Sequence, residues 1–148
     1  MNIGPMNNME PMNNIKNNMR LNNQEIEAII KTIIDCAVVV KRTLGVGYLE
    51  MVYLNALMVE MSSKGLKAEK EKPVEVYYRG ICVGHYRADI LVNDSVIIEL
   101  KVAESIDKSH EMQLVNYLQT TGINNGLIIN FGSERIEIKR KYRLFQRQ

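Results

Sequence analysis

The sequence predicts a single α/β domain built on one central mixed β-sheet that is flanked by helices. Two successive segments, residues 22–44 and 48–64, carry apolar residues at helical spacing. Several short apolar segments separated by turn residues follow over residues 68–102, which is typical of antiparallel strands. A further helix and an apolar strand complete an order of elements that is characteristic of α/β domains.

The composition is that of an ordinary globular protein and excludes several other classes. The 148 residues suffice for one core, and 46% hydrophobic and 24% charged residues are normal values for such a domain. No apolar run approaches the roughly 18 residues of a membrane span, and no secretory signal is recognisable. Cys36 and Cys82 each lie in an apolar segment, which predicts reduced thiols in a cytoplasmic protein. The net charge of +2 does not by itself require a nucleic-acid partner.

The chain is predicted to divide into a disordered tail, residues 1–21, and a folded domain, residues 22–148. The tail is rich in Asn and contains more than half of the nine methionines. Such a segment buries little apolar surface, so its truncation is expected to leave the domain intact.

The first two helices have recognisable ends. Asn22 followed three residues later by Glu25 predicts a capping box for a helix that ends at Leu44. The second helix is predicted over residues 48–64, and it places Glu50 in its first turn. A carboxylate there is favourable with the helix dipole, which is the purely structural interpretation of Glu50.

The strands after these helices are interrupted by turns. Residues 68–71 are predicted to form a short strand ended by Pro73, and residues 74–78 a second strand followed by an Arg79-Gly80 turn. The next strand runs to Asp89, with Gly84 as the place of a bulge or a close contact. Without a bulge, His85 would share a face with Asp89, either as a ligand or proton carrier or as a solvated bystander.

The segment 85–102 organises the chain as two strands joined by a turn at residues 93–95. Glu99 and Lys101 are two residues apart and therefore point the same way. Pairing within the hairpin brings Asp89 towards Glu99. Two carboxylates beside a lysine suit a hard divalent cation such as Mg²⁺. The alternative is a Glu99–Lys101 ion pair on a solvent-facing strand.

A third helix, capped by Asp107 or Ser109, is predicted to end at Thr121. It places Gln113 and Tyr117 one turn apart on the same face. Residues 127–131 form a continuous apolar strand that suits the centre of a sheet. The basic run over residues 136–147 is explained either by phosphate binding or by an edge strand that lysines protect from aggregation.

Several motifs together resemble a known superfamily. Asp89, followed by Glu99-Leu100-Lys101, resembles the metal-binding core of the PD-(D/E)XK nucleases. Residues 47–53 read G-x-x-E-x-x-Y, the string that names the GxxExxY family within that superfamily. Residues 84–89, 113–118 and 126–132 resemble the same family in order and spacing. The residue before Asp89 is Ala88 where the superfamily name has Pro.

The resemblance implies a restriction-endonuclease-like core and a metal-dependent nuclease that hydrolyses phosphodiester bonds of DNA or RNA. Asp89 and Glu99 would hold Mg²⁺ or Mn²⁺, and Glu50 would add a direct or water-mediated contact. Lys101 would orient the attacking water and stabilise the transition state, and Gln113 and Tyr117 would position water or phosphate. The alternatives are a catalytically inactive nucleic-acid-binding or assembly module with the same fold, and a structural protein whose charges form surface ion pairs.

Overall fold

The structure is a computed structural model that describes residues 21–144. The predicted disordered tail lies outside these residues apart from Leu21. The elements in chain order are α1 (Asn23–Leu44), α2 (Glu50–Ser63), β1 (Ala68–Tyr78), β2 (Ile81–Val92), β3 (Val96–Lys101), α3 (Lys108–Thr121), β4 (Asn125–Asn130) and β5 (Glu137–Tyr142).

The five strands form one sheet in the order β1-β2-β3-β4-β5. Neighbouring strands are antiparallel except β3 and β4, which are parallel and are connected through α3. A parallel neighbour cannot be reached by a tight turn, so the chain needs a helical crossover at this point. The predicted α/β domain with a central mixed sheet flanked by helices is therefore confirmed.

Helices cover both faces of the sheet. On one face α1 and α2 pack against apolar residues of β2, β3 and β4 in a core that includes Ile33, Leu57, Ile98 and Ile129. On the other face α3 packs through Leu114 and Leu118 against a second cluster. Because both faces are covered, β3 and β4 are almost entirely buried, as their continuous apolar sequences require.

The helix ends follow the predicted signals. Asn22 and Glu25 form the capping box of α1, and Asp107 caps α3 through the His110 N–H. Helix α2 begins at Glu50 rather than near Tyr48, because residues 45–49 form a bent, non-helical connection after α1 and Leu49, the N-cap, is extended.

The prediction that Pro73 ends a short strand is wrong. β1 is one continuous strand, and Pro73 pairs in register with Arg87 of β2. β1 is an edge strand, where a residue without an N–H is tolerated because no outer neighbour needs the donor. Glu71, with φ of 55°, absorbs a local irregularity of the strand.

Gly84 lies at a bulge, as predicted. The register between β1 and β2 shifts by one residue between Val76 and Tyr77, opposite Gly84 and Cys82, which leaves Val83 as the extra residue. A two-residue turn, with positive φ at Arg79 and Gly80, closes the hairpin beyond this bulge.

Asn130 fixes the segment that follows β3. Its buried side chain accepts hydrogen bonds from the N–H groups of Ala103 and Gly132 at 3.0 Å and donates to the Ala103 carbonyl at 2.9 Å. Gly132 is needed here because a Cβ atom would overlap the Ala103 backbone. The Asn-Phe-Gly sequence at residues 130–132 thus anchors the chain immediately after Lys101.

Replacing Asn130 should therefore cost stability. Asn130→Ala is expected to lower the free energy of unfolding by about 3 kcal/mol, because two buried backbone N–H groups lose their acceptor. Urea denaturation of Asn130→Ala and of the exposed control Asn116→Ala measures the effect. Equal stability of the two variants would contradict the anchoring role of Asn130.

Candidate active site

The candidate site forms where β2 separates from β3. The two strands pair at Ile90 and Ile98, and one step further along this register Asp89 comes beside Glu99. There Asp89 Oδ2 accepts a hydrogen bond of 2.8 Å from the Leu100 N–H. A side-chain carboxylate thus takes the place of the next ladder bond, and the side chains of Asp89 and Glu99 are in hydrogen-bond contact.

Glu99 is the most unusual group of the site. Its side chain is on the face of the sheet covered by α3, and only 8% of the residue is exposed. Its Oε1 is buried without a hydrogen-bond partner. Burial raises the pKa of Glu99 from its ordinary 4.5 to about 9, and the neighbouring Asp89 carboxylate contributes further to this shift. Without a bound cation the Glu99 carboxyl is therefore protonated at neutral pH.

Lys101 and Glu50 complete the electrostatic cluster. Partial desolvation raises the pKa of Glu50, an exposed residue at the start of α2, with a further contribution from Asp89, and the Lys101 charge partly offsets this rise. No carboxylate lies within 4 Å of the Lys101 ammonium among residues 21–144. The surface ion pair between Glu99 and Lys101 that the sequence left open as an alternative is therefore not formed.

Helix α3 carries Gln113 and Tyr117 to the same site. Burial raises the pKa of the Tyr117 hydroxyl, Glu99 raises it further, and Gln113 offsets part of the shift through a side-chain hydrogen bond. The helix lies close to β4 because Gly126 has no side chain: a Cβ atom there would come within 2.9 Å of a Leu114 methyl group. Tyr117 thus lies near Glu99 and Asp89, and Gln113 reaches Tyr117. The roles of both residues stay a prediction.

Tyr86 is a site residue that the sequence did not single out. Its ring stacks on the Tyr117 ring with centroids 3.3 Å apart, and its hydroxyl is buried without a partner. Burial and the nearby Glu99 raise its pKa. The alternation of β2 concealed this residue, because Tyr86 and Ala88 pack beneath α3 whereas Ile90 and Val92, which simple alternation would place on the same face, pack on the opposite side of the sheet.

Tyr53, the last residue of the G-x-x-E-x-x-Y string, does not bond within the site. Its buried hydroxyl donates to the Gly45 carbonyl at 2.6 Å and accepts from the Tyr48 N–H at 3.3 Å. Its ring stacks on Phe131 with centroids 4.8 Å apart. Tyr53 therefore holds the connection that leads into Glu50.

Other polar candidates lie elsewhere. The exposed His85 ring contacts Glu75 at 3.9 Å and Cys82 at 3.6 Å, away from the carboxylate pair. The basic residues of β5 are paired with helix residues: Lys139 and Lys141 with Glu111, and Arg140 with Glu27. The part of the basic run that lies in β5 is therefore an edge strand tied to α1 and α3 by ion pairs, and residues 145–147 lie outside the described part of the chain.

The number of converging acidic side chains is smaller than a site made entirely of protein ligands would need for a divalent cation. Within residues 21–144 no group of three or more His, Cys, Asp or Glu side chains converges closely enough to hold a metal ion. Mg²⁺, however, usually keeps several waters and uses one or two carboxylates. The adjoining Asp89 and Glu99, with the unpartnered buried Oε1 of Glu99, satisfy that requirement.

The burial of Glu99 predicts a pH dependence of stability. Between pH 4.5 and about pH 9 the folded protein holds a proton on Glu99 that the unfolded chain releases, so stability falls as pH rises. The slope contributed by this group is at most about 1.4 kcal/mol per pH unit. Glu99→Gln should flatten the slope and raise the thermal midpoint at pH 8 in a chelator.

Thermal unfolding from pH 5 to pH 9 measures this effect, with the exposed Glu104→Gln as the control variant. A wild-type slope that Glu99→Gln leaves unchanged would show that Glu99 titrates normally.

The Tyr53 hydroxyl predicts a second effect on stability. Tyr53→Phe should lower the free energy of unfolding by about 1–2 kcal/mol, because the buried carbonyl of Gly45 loses its donor. Tyr48→Phe is the matched control, since that ring is 48% exposed. Chemical denaturation compares the two, and equal effects would argue against the Tyr53 contact.

The sequence matches the PD-(D/E)XK nuclease superfamily over residues 27–141, more than three quarters of the chain. No curated protein matches it significantly. Among solved structures, the crystal structure of SSO0001 aligns with 65% of this chain at 24% identity and a TM-score of 0.48, and the alignment takes in 50% of the SSO0001 chain. Assignment to the GxxExxY family stays a prediction. The extent of the superfamily match shows that the chain belongs to the PD-(D/E)XK nuclease superfamily.

Proposed function

We propose that this protein is a divalent-metal-dependent nuclease that hydrolyses phosphodiester bonds of nucleic acid. The observation that carries the proposal is the buried carboxyl pair: Glu99 is 8% exposed, contacts Asp89, and leaves Oε1 without a partner. Burying an acid is costly unless it is paired or binds a cation. A hydrophobic residue at the same place in β3 would serve the fold better, so this acid calls for a functional explanation.

Asp89 and Glu99 would be the direct ligands of Mg²⁺ or Mn²⁺. Glu50 would act through water, because partial desolvation and then the Asp89 charge raise the pKa of Glu50, while no three such side chains within residues 21–144 converge closely enough to hold a metal ion. When bound, the cation supplies Lewis-acid stabilisation of charge on the phosphoryl oxygens. Binding requires Glu99 to lose its proton, so affinity for the cation should increase with pH towards about 9.

The remaining residues would handle water and phosphate. Lys101 has no carboxylate within ion-pair distance in the described part of the chain, so its ammonium can orient the attacking water and stabilise negative charge in the transition state. Gln113 and Tyr117 lie above the carboxylates on α3 and supply donors for water or a phosphate oxygen. The Tyr86–Tyr117 stack would exclude water from the inner side of the site.

Replacing Lys101 and replacing Asp89 should affect metal binding and cleavage differently. Lys101→Ala is expected to retain the cation, because the proposed ligands are carboxylates, and to lose cleavage by about a hundredfold or more, which corresponds to at least about 2.7 kcal/mol of lost transition-state stabilisation. Asp89→Asn should weaken metal binding and cleavage together. Cleavage of single- and double-stranded DNA and RNA with Mn²⁺, together with Mn²⁺ titration, measures both properties.

Lys31→Ala is the control, because Lys31 is an exposed residue of α1 paired with Asp35. Wild-type protein should also be stabilised by Mn²⁺, by about 2.7 kcal/mol at a hundredfold excess over the dissociation constant. Full cleavage by Lys101→Ala would defeat the catalytic role of Lys101. Nucleic-acid binding with neither cleavage nor Mn²⁺ stabilisation would instead identify an inactive binding module.

A further inference from the structure

The hairpin of β1 and β2 extends beyond the rest of the sheet. β3 pairs with β2 only at residues 90–92, whereas β1 and β2 remain paired as far as Tyr78 and Ile81. Residues 73–88 therefore form a two-stranded projection, here named the β1–β2 arm. An isolated two-stranded hairpin has little stability of its own, so side chains on it that are both large and exposed need an explanation.

The outer half of the β1–β2 arm exposes an unusual amount of apolar surface. Tyr77 is 60% exposed, Tyr78 62%, Ile81 68% and Val83 59%. These four residues lie within seven positions of one another around the turn. Of these, Tyr78 and Ile81 are directly opposite each other on one face of the arm, and exposed apolar side chains paired in this way mark a contact with another molecule.

One face of the arm continues the candidate active site. Val74 and Tyr86 are directly opposite each other and pack against the cluster beneath α3. Because side chains alternate along a strand and paired residues share a face, every second pair along the arm joins this face. The residues that follow outward from Val74 and Tyr86 on this face, here named the stripe, are Val76, Gly84, Tyr78 and Ile81.

The opposite face has a different character. Tyr77 pairs with Cys82, and its hydroxyl donates to the Glu75 carboxylate. His85 lies beside Glu75 on this same side. Tyr77 and Tyr78 are thus neighbours of nearly equal exposure whose rings point to opposite faces of the arm.

The inner end of the stripe touches the proposed catalytic groups. Tyr86 stacks on Tyr117, and the pKa of both hydroxyls is raised by burial and then by the nearby Glu99. Eight residues separate Ile81 from Asp89, so the arm carries the stripe about 26 Å outward from the carboxylates at the usual rise per residue.

The charges along this path suit a polyanion. The Arg79 guanidinium lies 5.4 Å from the Tyr78 ring centroid at the tip, and a guanidinium stacked on a ring keeps its N–H donors in plane. Within residues 21–144, neither Arg79 nor Lys101 is within ion-pair distance of a carboxylate. Phosphates can therefore be met by a cation at each end of the stripe.

We propose that the stripe is a stacking platform for unpaired bases, which guides single-stranded nucleic acid from the tip of the β1–β2 arm to the carboxylate site. This inference rests on the proposed function. Only unpaired bases offer their faces to an aromatic ring such as Tyr78. A ribbon that reads duplex grooves needs hydrogen-bonding side chains towards base edges, and the stripe has none between Tyr86 and Tyr78. Base stacking does not distinguish DNA from RNA, so the stripe is expected to bind single strands of both.

The adjacent tyrosines provide the test. Affinity for a fluorescent single-stranded oligonucleotide, as DNA and as RNA, is measured by anisotropy in a chelator, where no metal-dependent cleavage occurs. Tyr78→Ala should weaken binding at least about fivefold, the loss expected from one stacked base. Tyr78→Phe keeps the ring and should bind within about twofold of wild type. Tyr77→Ala, on the opposite face, should also remain within about twofold.

Equal losses for Tyr77→Ala and Tyr78→Ala, or no loss for Tyr78→Ala, would overturn the proposal. An equal loss on a duplex of the same sequence would also overturn it, because duplex bases are not free to stack. Sedimentation of the same variants checks self-association. A dimer that Tyr78→Ala converts to monomer would identify the stripe as a contact between two copies and overturn the base-stacking role.

The nuclease proposal and the base-stacking proposal can be refuted independently, because cleavage and single-strand binding are measured separately. Single-strand binding that depends on Tyr78 without any Mn²⁺-dependent cleavage would refute the nuclease and keep the stripe. Cleavage that Tyr78→Ala leaves unchanged, together with unchanged binding, would refute the stripe and keep the nuclease.

Discussion

The hydrogen bond from the Leu100 N–H to Asp89 Oδ2 marks the point on which the arrangement of this protein depends. Up to Ile90 and Ile98 the two strands satisfy each other's backbone groups, and beyond that point the side chain of Asp89 takes over. The strands can then separate without leaving this N–H unpaired. The separation leaves room for two carboxyl groups beneath α3 and directs the β1–β2 arm away from the sheet.

The second constraint is the parallel pair of β3 and β4. Their pairing requires a crossover, and the crossover is the helix that carries Gln113 and Tyr117 over the face containing Glu99. Gly126 allows the helix to approach, because any side chain there would meet Leu114. Asn130 and Gly132 then hold the segment after Lys101 at the end of β3. Residues far apart in the chain thus stabilise one short strand that contains two of the proposed functional groups.

The electrostatics of the site oppose its stability. Glu99 is protonated at neutral pH because burial and the nearby Asp89 both disfavour its charge. A cation that displaces this proton would compensate both carboxylates at once, so metal binding and stability should be linked. Such a group, costly to the metal-free fold and suited to a ligand, is the kind of perturbed acid that marks functional sites.

The sequence by itself determined the type of fold, the capping box of α1, and the strand positions of Asp89, Glu99 and Lys101, and it left the cap of α3 open between Asp107 and Ser109. These properties depend on local periodicity and on hydrogen bonds between residues three or four apart, which a sequence displays directly. The continuation of β1 through Pro73, the Tyr53 contact with the loop and the Tyr86–Tyr117 stack were decided only by tertiary structure. Each of these features depends either on which strand lies at the edge of the sheet or on which residue from a distant part of the chain is in contact. Local periodicity carries no information about such pairings.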